Sequence, residues 1–358
     1  MRKKIFAWLL PLSLLLLGLL TLLFASDALL QKEKRYPAPA PVLSFQRGET
    51  AEQAESWTAD HLFGRDLWTG LCGLYLRLSG QGIDGEVLAS PDALTERPIV
   101  WDWNRFAKNL AQIGAFADRM GMPCDLVAPP TAGSLRQSEL PLVYTDDEAL
   151  DRCLAAEGVR ALDLRPLFRA AKDDLYLLTD PHWNAKGVYL AYQALCARWD
   201  MTPLPYEAFH TATADDFRGT CYNRSMLWLW PAEKLEMAEA PGLQVSTDGG
   251  SWHEGTLYPE HLHTPDAYSA YLDGNHGLTR IRNTALHDGT RLLMVKDSYG
   301  NALAPMLAAH FEETVLIDPR AYRGDMADLG SFDRLAAVFC LHSLNTFTFL
   351  ARLSAPAR

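Results

Sequence analysis

The chain has no Cys-x-x-C pair and no Cys/His spacing of the zinc-site kind, so neither a redox dithiol nor a zinc centre is indicated. Basic residues are scarce: 33 Lys and Arg stand against 44 Asp and Glu, a formal net charge of -11. Phosphate binding needs clustered cations, so this balance argues against a nucleic-acid partner. The Gly-x-Ser-x-Gly elbow of lipase-like enzymes is missing, which removes that class of serine hydrolase. Internal repeats are absent, and no metal or organic cofactor is called for. What remains is a 358-residue chain, 48% hydrophobic, long enough to bury one large core or two modest ones.

The N-terminus is the one long apolar run. Arg2, Lys3 and Lys4 precede an uncharged, leucine-rich stretch from Ile5 to Ala25, about the ~20 residues a membrane-spanning helix needs. The run exceeds the usual signal-peptide core, and only Ser26-Asp27-Ala28 resembles a cleavage site. Residues 1–28 are therefore expected to form a retained signal anchor, with a cleaved signal peptide as the alternative. The working domain would lie outside the cytoplasm in either case. Residues 29–49, with Tyr36-Pro37-Ala38-Pro39-Ala40-Pro41, read as a stiff Pro-rich linker. The main domain is expected over 50–350, and 351–358 form a tail. The six cysteines allow fifteen full pairings. Cys196 in a helical pattern and Cys340 in an apolar run read instead as buried, unpaired thiols.

Periodicity predicts helices over Thr50–His61, Trp103–Met120, Asp147–Glu157 and Asn184–Trp199, and strands over Met122–Ala128 and Ala161–Leu164. Phe106, Leu110, Ile113 and Ala117 make the apolar face of the second helix. Residues 201–280 show no clean period and read as an irregular insertion. From Thr290 onward strands and helices alternate, which predicts an α/β fold with a mainly parallel sheet covered on both faces.

Two segments carry the chemistry. In Asp180-Pro181-His182-Trp183, proline pushes the residue before it into an extended conformation, and residues i and i+2 of an extended segment point the same way. Asp180 and His182 can then project together, a carboxylate orienting an imidazole base. The competing reading makes Asp180 the N-cap of a helix with Pro181 at its first position. The second segment, Lys296-Asp297-Ser298-Tyr299-Gly300-Asn301, follows the apolar run Leu292–Val295 and reads as a strand breaking into a turn and then a helix. That junction presents Ser298 as a nucleophile at the sheet edge, with helix N–H groups to receive an oxyanion. Asp297 and Ser298 as simple helix caps are the alternative.

These residues resemble a known family. Asp-x-His-Trp followed by a helix, and a later strand ending in Asp-Ser-(Phe/Tyr)-(Gly/Ala)-Asn, is similar to the DHHW proteins and the related alginate O-acetyltransferase group, AlgJ and AlgX, of the SGNH hydrolase-like superfamily. The similarity runs over roughly residues 50 to 345, including Asp60–Asp66, Leu177–Gly187, Asp273–His276 and Val295–Leu303. It implies an SGNH hydrolase-like fold and a triad of Asp180, His182 and Ser298 acting on a polysaccharide, as an O-acetyltransferase or acetylesterase. A membrane-bound O-acyltransferase would supply the acetyl group. The first histidine of Asp-His-His-Trp is Pro181 here, but it is not the one that serves as base.

Other residues are weaker candidates. Asn345 could give an oxyanion amide, or belong to an ordinary turn. His276 could line the cleft or replace His182 as base. Asn301 lies one turn beyond Ser298, and Arg218 and Tyr222 could hold a substrate hydroxyl or carboxylate. Trp101, Trp103, Trp228, Trp230 and Trp252 could stack on sugars, though aromatic residues more often pack in a core. The rival expectation is a non-catalytic glycan-binding or envelope-assembly protein that keeps the fold, since a fold alone does not fix function.

Overall fold

Short apolar runs such as Leu292–Val295 and Val315–Ile317 become central strands of an eight-stranded sheet. The structure is a computed structural model and describes residues 2–28, 30, 36–44, 48–79, 83–84, 87–225, 227–264 and 266–354. The described residues fall into two compact units, one from Met1–Glu86 with Tyr222–Trp230, the other from Val87–Cys221 with Pro231–Arg358.

The first unit holds three helices, α1 (Arg2–Phe24), α2 (Glu49–His61) and α3 (Arg65–Leu78). Among the described residues no helix is long and apolar enough to cross a membrane. This corrects the expected signal anchor and single-pass placement. The expected attachment to a membrane through this helix is corrected with it. Pro11 lies inside α1, where it removes a backbone hydrogen bond. Of the expected linker, residues 29, 31–35 and 45–47 lie outside the described residues, as do 355–358 of the tail. The Pro-rich stretch is held against α2, Ala38 N donating to Asp60 Oδ2 at 2.8 Å and Val42 N to Gln53 Oε1 at 2.8 Å.

The second unit contains the sheet. Its strands are β1 (Cys124–Val127), β2 (Val159–Leu162), β3 (Leu243–Thr247), β4 (His253–Glu254), β5 (Leu278–Asn283), β6 (Arg291–Lys296), β7 (Glu313–Ile317) and β8 (Arg334–Val338), in the order β2-β1-β8-β6-β7-β5-β3-β4. Strands β2, β1, β8, β6 and β7 pair in parallel, and β5, β3 and β4 add antiparallel to the β7 side. The sheet is thus mixed rather than mainly parallel, and residues 201–280 are not irregular. Besides β3, β4 and part of β5, they include an antiparallel pair, His210–Phe217 with Glu233–Glu239. The alternation in β5 was masked because its buried positions include Thr279 and Asn283, with Arg280 and Arg282 between them. Strand β3 leaves through Asp248 and Gly249, both at positive φ, with Gly250 N returning to Thr247 O at 2.8 Å. Only a turn of that hand matches the strand twist, and glycine takes it without strain.

Helices cover both faces of the parallel part. Leu292 and Met294 of β6 pack with α6 (Ala185–Arg198) and α7 (Tyr299–Leu307). Leu293 and Val295 face α4 (Trp103–Met120), α5 (Asp146–Leu154) and α8 (Leu341–Thr346). Helix α4 starts where Asp102 accepts from Arg105 N and stops at Gly121 in the left-handed region. Four of the six cysteines are buried.

Candidate active site

Strands β1, β8 and β6 end in register, Val127 beside Val338 and Val338 beside Lys296, so the chain must turn at one common edge. Asp297 fixes that turn. Its N–H donates to Val338 O at 3.1 Å, and its buried carboxylate accepts from Tyr299 N at 2.9 Å and Cys340 N at 2.8 Å. Ser298, one residue on, is left half-buried at the start of α7. Open α/β sheets place reactive groups at this kind of edge.

The other motif sits on a loop closed by an antiparallel bridge between Tyr176 and Trp183, with Leu177 N donating to His182 O at 3.1 Å. Helix α6 begins only after it, capped by Asn184, whose Oδ1 accepts from Lys186 N and Gly187 N. Asp180 is therefore not a helix cap. Its Oδ1 lies 2.5 Å from His182 Nδ1 and accepts from His182 N at 3.1 Å, and its Oδ2 accepts from Thr220 N at 2.7 Å. His182 Nε2 lies 2.7 Å from Ser298 Oγ. With the Nδ1 proton on the Asp180 side, a neutral imidazole leaves Nε2 free to accept from the serine hydroxyl.

The two motifs are more than a hundred residues apart, and the aromatic residues inside them join them. Buried Trp183 donates from Nε1 to Tyr299 O at 3.2 Å, and the Tyr299 hydroxyl donates to Pro181 O. The imidazole lies between two rings, with Tyr268 stacked at 4.0 Å and 18° and Tyr299 tilted at 4.9 Å and 41°. Burial by itself would raise the Asp180 carboxyl. The charge and hydrogen bonds of His182 and the Thr220 N–H outweigh it and hold the group well below the usual carboxylate range.

The weaker candidates are engaged elsewhere. Asn345 is tied to the segment before α4, its Oδ1 accepting from Asp102 N at 2.8 Å and its Nδ2 donating to Val100 O at 2.9 Å. His276 is held by Asp248 Oδ2 and Asp273 O, both at 3.0 Å. Asn301 Nδ2 reaches Gly274 O and Asn275 Oδ1. Arg218 is exposed, beside the Gly219–Thr220 segment that contacts Asp180. Tyr222 belongs to the first unit, where its hydroxyl donates to Trp228 O. The N–H groups of Tyr299, Gly300 and Asn301 are taken by Asp297 Oδ1, Asp297 O and Ser298 O, so these helix-start donors are not open to an oxyanion. Trp101 and Trp103 stack on each other over buried Phe106. Thr179, Thr220, Glu233 and Tyr268 touch the site and were missed. Only Thr179, adjoining the motif, carried any signal.

Strand-end serine, imidazole and carboxylate on an α/β sheet define a serine-nucleophile enzyme of the acyltransferase and esterase kind. The family model described as the SGNH hydrolase-like domain of acetyltransferase AlgX matches residues 130–224, and the DHHW protein model matches 260–317. Among solved structures, a DHHW family protein from Eubacterium siraeum superposes with a TM-score of 0.63 at 18% identity, over 76% of this chain and 96% of that one. PatB1 of Bacillus cereus, recorded with a sulfonyl adduct, gives 0.61 at 19%, over 74% and 97%. No curated protein matches significantly. The chain thus shares the fold of these structures and matches the AlgX-type and DHHW models over parts of its length.

Proposed function

We propose that this protein transfers or hydrolyses an acetyl ester on a polysaccharide or other glycan. Ser298 acts as nucleophile, His182 as base and Asp180 as the carboxylate that orients it. The observation that carries this reading is the unbroken relay from Asp180 Oδ1 through His182 to Ser298 Oγ, at 2.5 and 2.7 Å. Those distances are within reach for proton transfer in both directions. Serine Oγ attacks the acetyl carbonyl while its proton passes to Nε2. As the tetrahedral adduct collapses, the ester C–O bond breaks and the leaving alkoxide takes the proton from Nε2, leaving acetyl on Ser298. A glycan hydroxyl or water then gives its proton to Nε2, attacks the acyl-enzyme, and restores the serine. The acetyl-transfer chemistry is supported by the AlgX family model, described as an acetyltransferase.

The test is labelling of the whole chain with an aryl sulfonyl fluoride, a reagent suggested by the adduct recorded for PatB1, followed by peptide mapping. The expected adduct is on Ser298 and disappears in folded His182→Ala protein. Folded wild-type protein that takes no adduct would overturn the reading in favour of a glycan-binding or assembly role.

A further inference from the structure

The loop from Leu177 to His182 contains no helix or strand, yet it must hold Asp180 to within a fraction of an ångström. Its hydrogen bonds converge on Glu233, the first residue of the strand Glu233–Glu239. Glu233 Oε2 accepts from Leu178 N at 2.7 Å, and Oε1 accepts from Thr179 N at 2.7 Å and Thr179 Oγ1 at 2.5 Å. Having given its proton to Glu233, the Thr179 hydroxyl accepts from Gly219 N at 3.0 Å. The next amide, Thr220 N, donates to Asp180 Oδ2. Gly219 packs so tightly here that a Cβ would lie 2.3 Å from that of Asp180.

We propose that Glu233 is a positioning residue of the active site, acting through Thr179 to lock the Asp180 loop to the 218–220 segment. The proposal rests on the triad reading above. All three groups facing Glu233 are donors, so the interaction requires an acceptor at both oxygens. A glutamine of the same shape would turn an N–H toward one of them. Burial raises the Glu233 carboxyl, and the hydrogen bonds from Leu178 and Thr179 oppose that rise. A carboxylate kept half-buried beside a second one, Asp180, is costly for stability alone and is explained by what it holds.

Loss of this lock displaces Asp180 without removing any reacting atom, so turnover should fall while substrate binding stays. With p-nitrophenyl acetate as probe, Glu233→Gln and Thr179→Val are each expected to lower kcat by about 10²-fold, the scale of a 1 Å misplacement, with KM within about twofold. Thr179→Ser keeps the hydroxyl and should restore kcat to within about threefold of wild type. Wild-type kcat in folded Glu233→Gln, or equal losses in Thr179→Ser and Thr179→Val, would overturn the proposal alone. Wild-type protein with neither turnover nor a Ser298 adduct would overturn the triad reading and this proposal with it.

Discussion

The two halves of the sheet contribute to the site in different ways. The parallel half, β2-β1-β8-β6-β7, is covered by helices on both faces, and five of the six residues of β6 are buried. Such strands end at a shared edge, and Ser298 sits on the turn at one of those ends. The antiparallel half, β5-β3-β4, is buried less evenly, β5 alternating buried and accessible positions. The segment between β4 and β5 brings Tyr268 over His182. Ser298 therefore stands on the part of the sheet packed between helices on both faces. Asp180 and Tyr268 reach His182 on segments held by a few specific polar and ring contacts. Substitutions in the first region should act on stability, and in the second on turnover.

The largest expected effect lies on the second side of that contrast. Asp180→Asn preserves the shape of the loop but lets an amide N–H face His182 and select the wrong tautomer. A drop in kcat of about 10⁴-fold is expected, by analogy with other serine–histidine–aspartate sites. The same carboxylate contributes to stability. A folded value depressed below the unfolded one gives stability that is present above the ordinary carboxylate range and is lost as pH falls through the folded value. Urea unfolding should thus separate wild type from Asp180→Asn at neutral pH, and the gap should narrow toward about pH 2. A gap that holds at acid pH would mean the loop is stabilised by something other than the charge of this carboxylate.

Lys296 tests the first side. It is fully buried at the end of β6, its Nζ has no hydrogen-bond partner, and the nearest carboxylate, Asp318, is 3.7 Å away. Burial pushes it down to about 8, against the pull of Asp318. For a base whose folded value lies below its unfolded one, the penalty is complete below about 8 and is relieved as pH climbs toward the ordinary lysine value. Lys296→Met should stabilise the protein at pH 7 by roughly 1–3 kcal/mol, and by less at about pH 10. Asp318 keeps Arg320 as its partner, with Arg320 Nε at 2.8 Å. Destabilisation at pH 7 would show that the Lys296–Asp318 pair is a net support of the parallel half.

The same contrast explains what could be read from the chain. Helix α4 was legible to the residue because its cap, apolar face and terminal glycine all agree. Strands β1 and β6 were legible because burial on both faces writes an apolar run, as in Leu292–Val295, whereas β2, expected at Ala161–Leu164, runs over Val159–Leu162 because exposed Arg160 interrupts its run. Strand β5 was not, since Thr279 and Asn283 occupy buried positions and hydrophobicity alone cannot mark them. In the site, Asp180 and His182 followed from local spacing, and Ser298 from a strand that breaks into a helix. Glu233 and Tyr268 reach the loop across more than fifty residues, through contacts that leave no local pattern. Asn345 looked available because nothing local announces that the Val100–Asp102 segment occupies its amide.

Tyr268 gives the smallest predicted effect and bears most directly on whether the antiparallel half takes part in the chemistry. Its ring lies 4.0 Å from the imidazole and nearly parallel to it. A ring face favours a cation, so the stack strengthens when His182 takes the serine proton. The groups facing His182 are Asp180, Ser298, Tyr268 and Tyr299. Burial pushes both phenols well above their ordinary range, so they stay neutral and Asp180 is the charged neighbour. Tyr268→Leu removes the ring face and should lower kcat by about 2–10-fold, the worth of an aromatic stack of 0.5–1.5 kcal/mol. Tyr268→Phe keeps the face and should leave kcat within about twofold of wild type. If kcat in folded Tyr268→Leu also stays at the wild-type value, the ring only fills space, and the antiparallel half is a scaffold rather than part of the base.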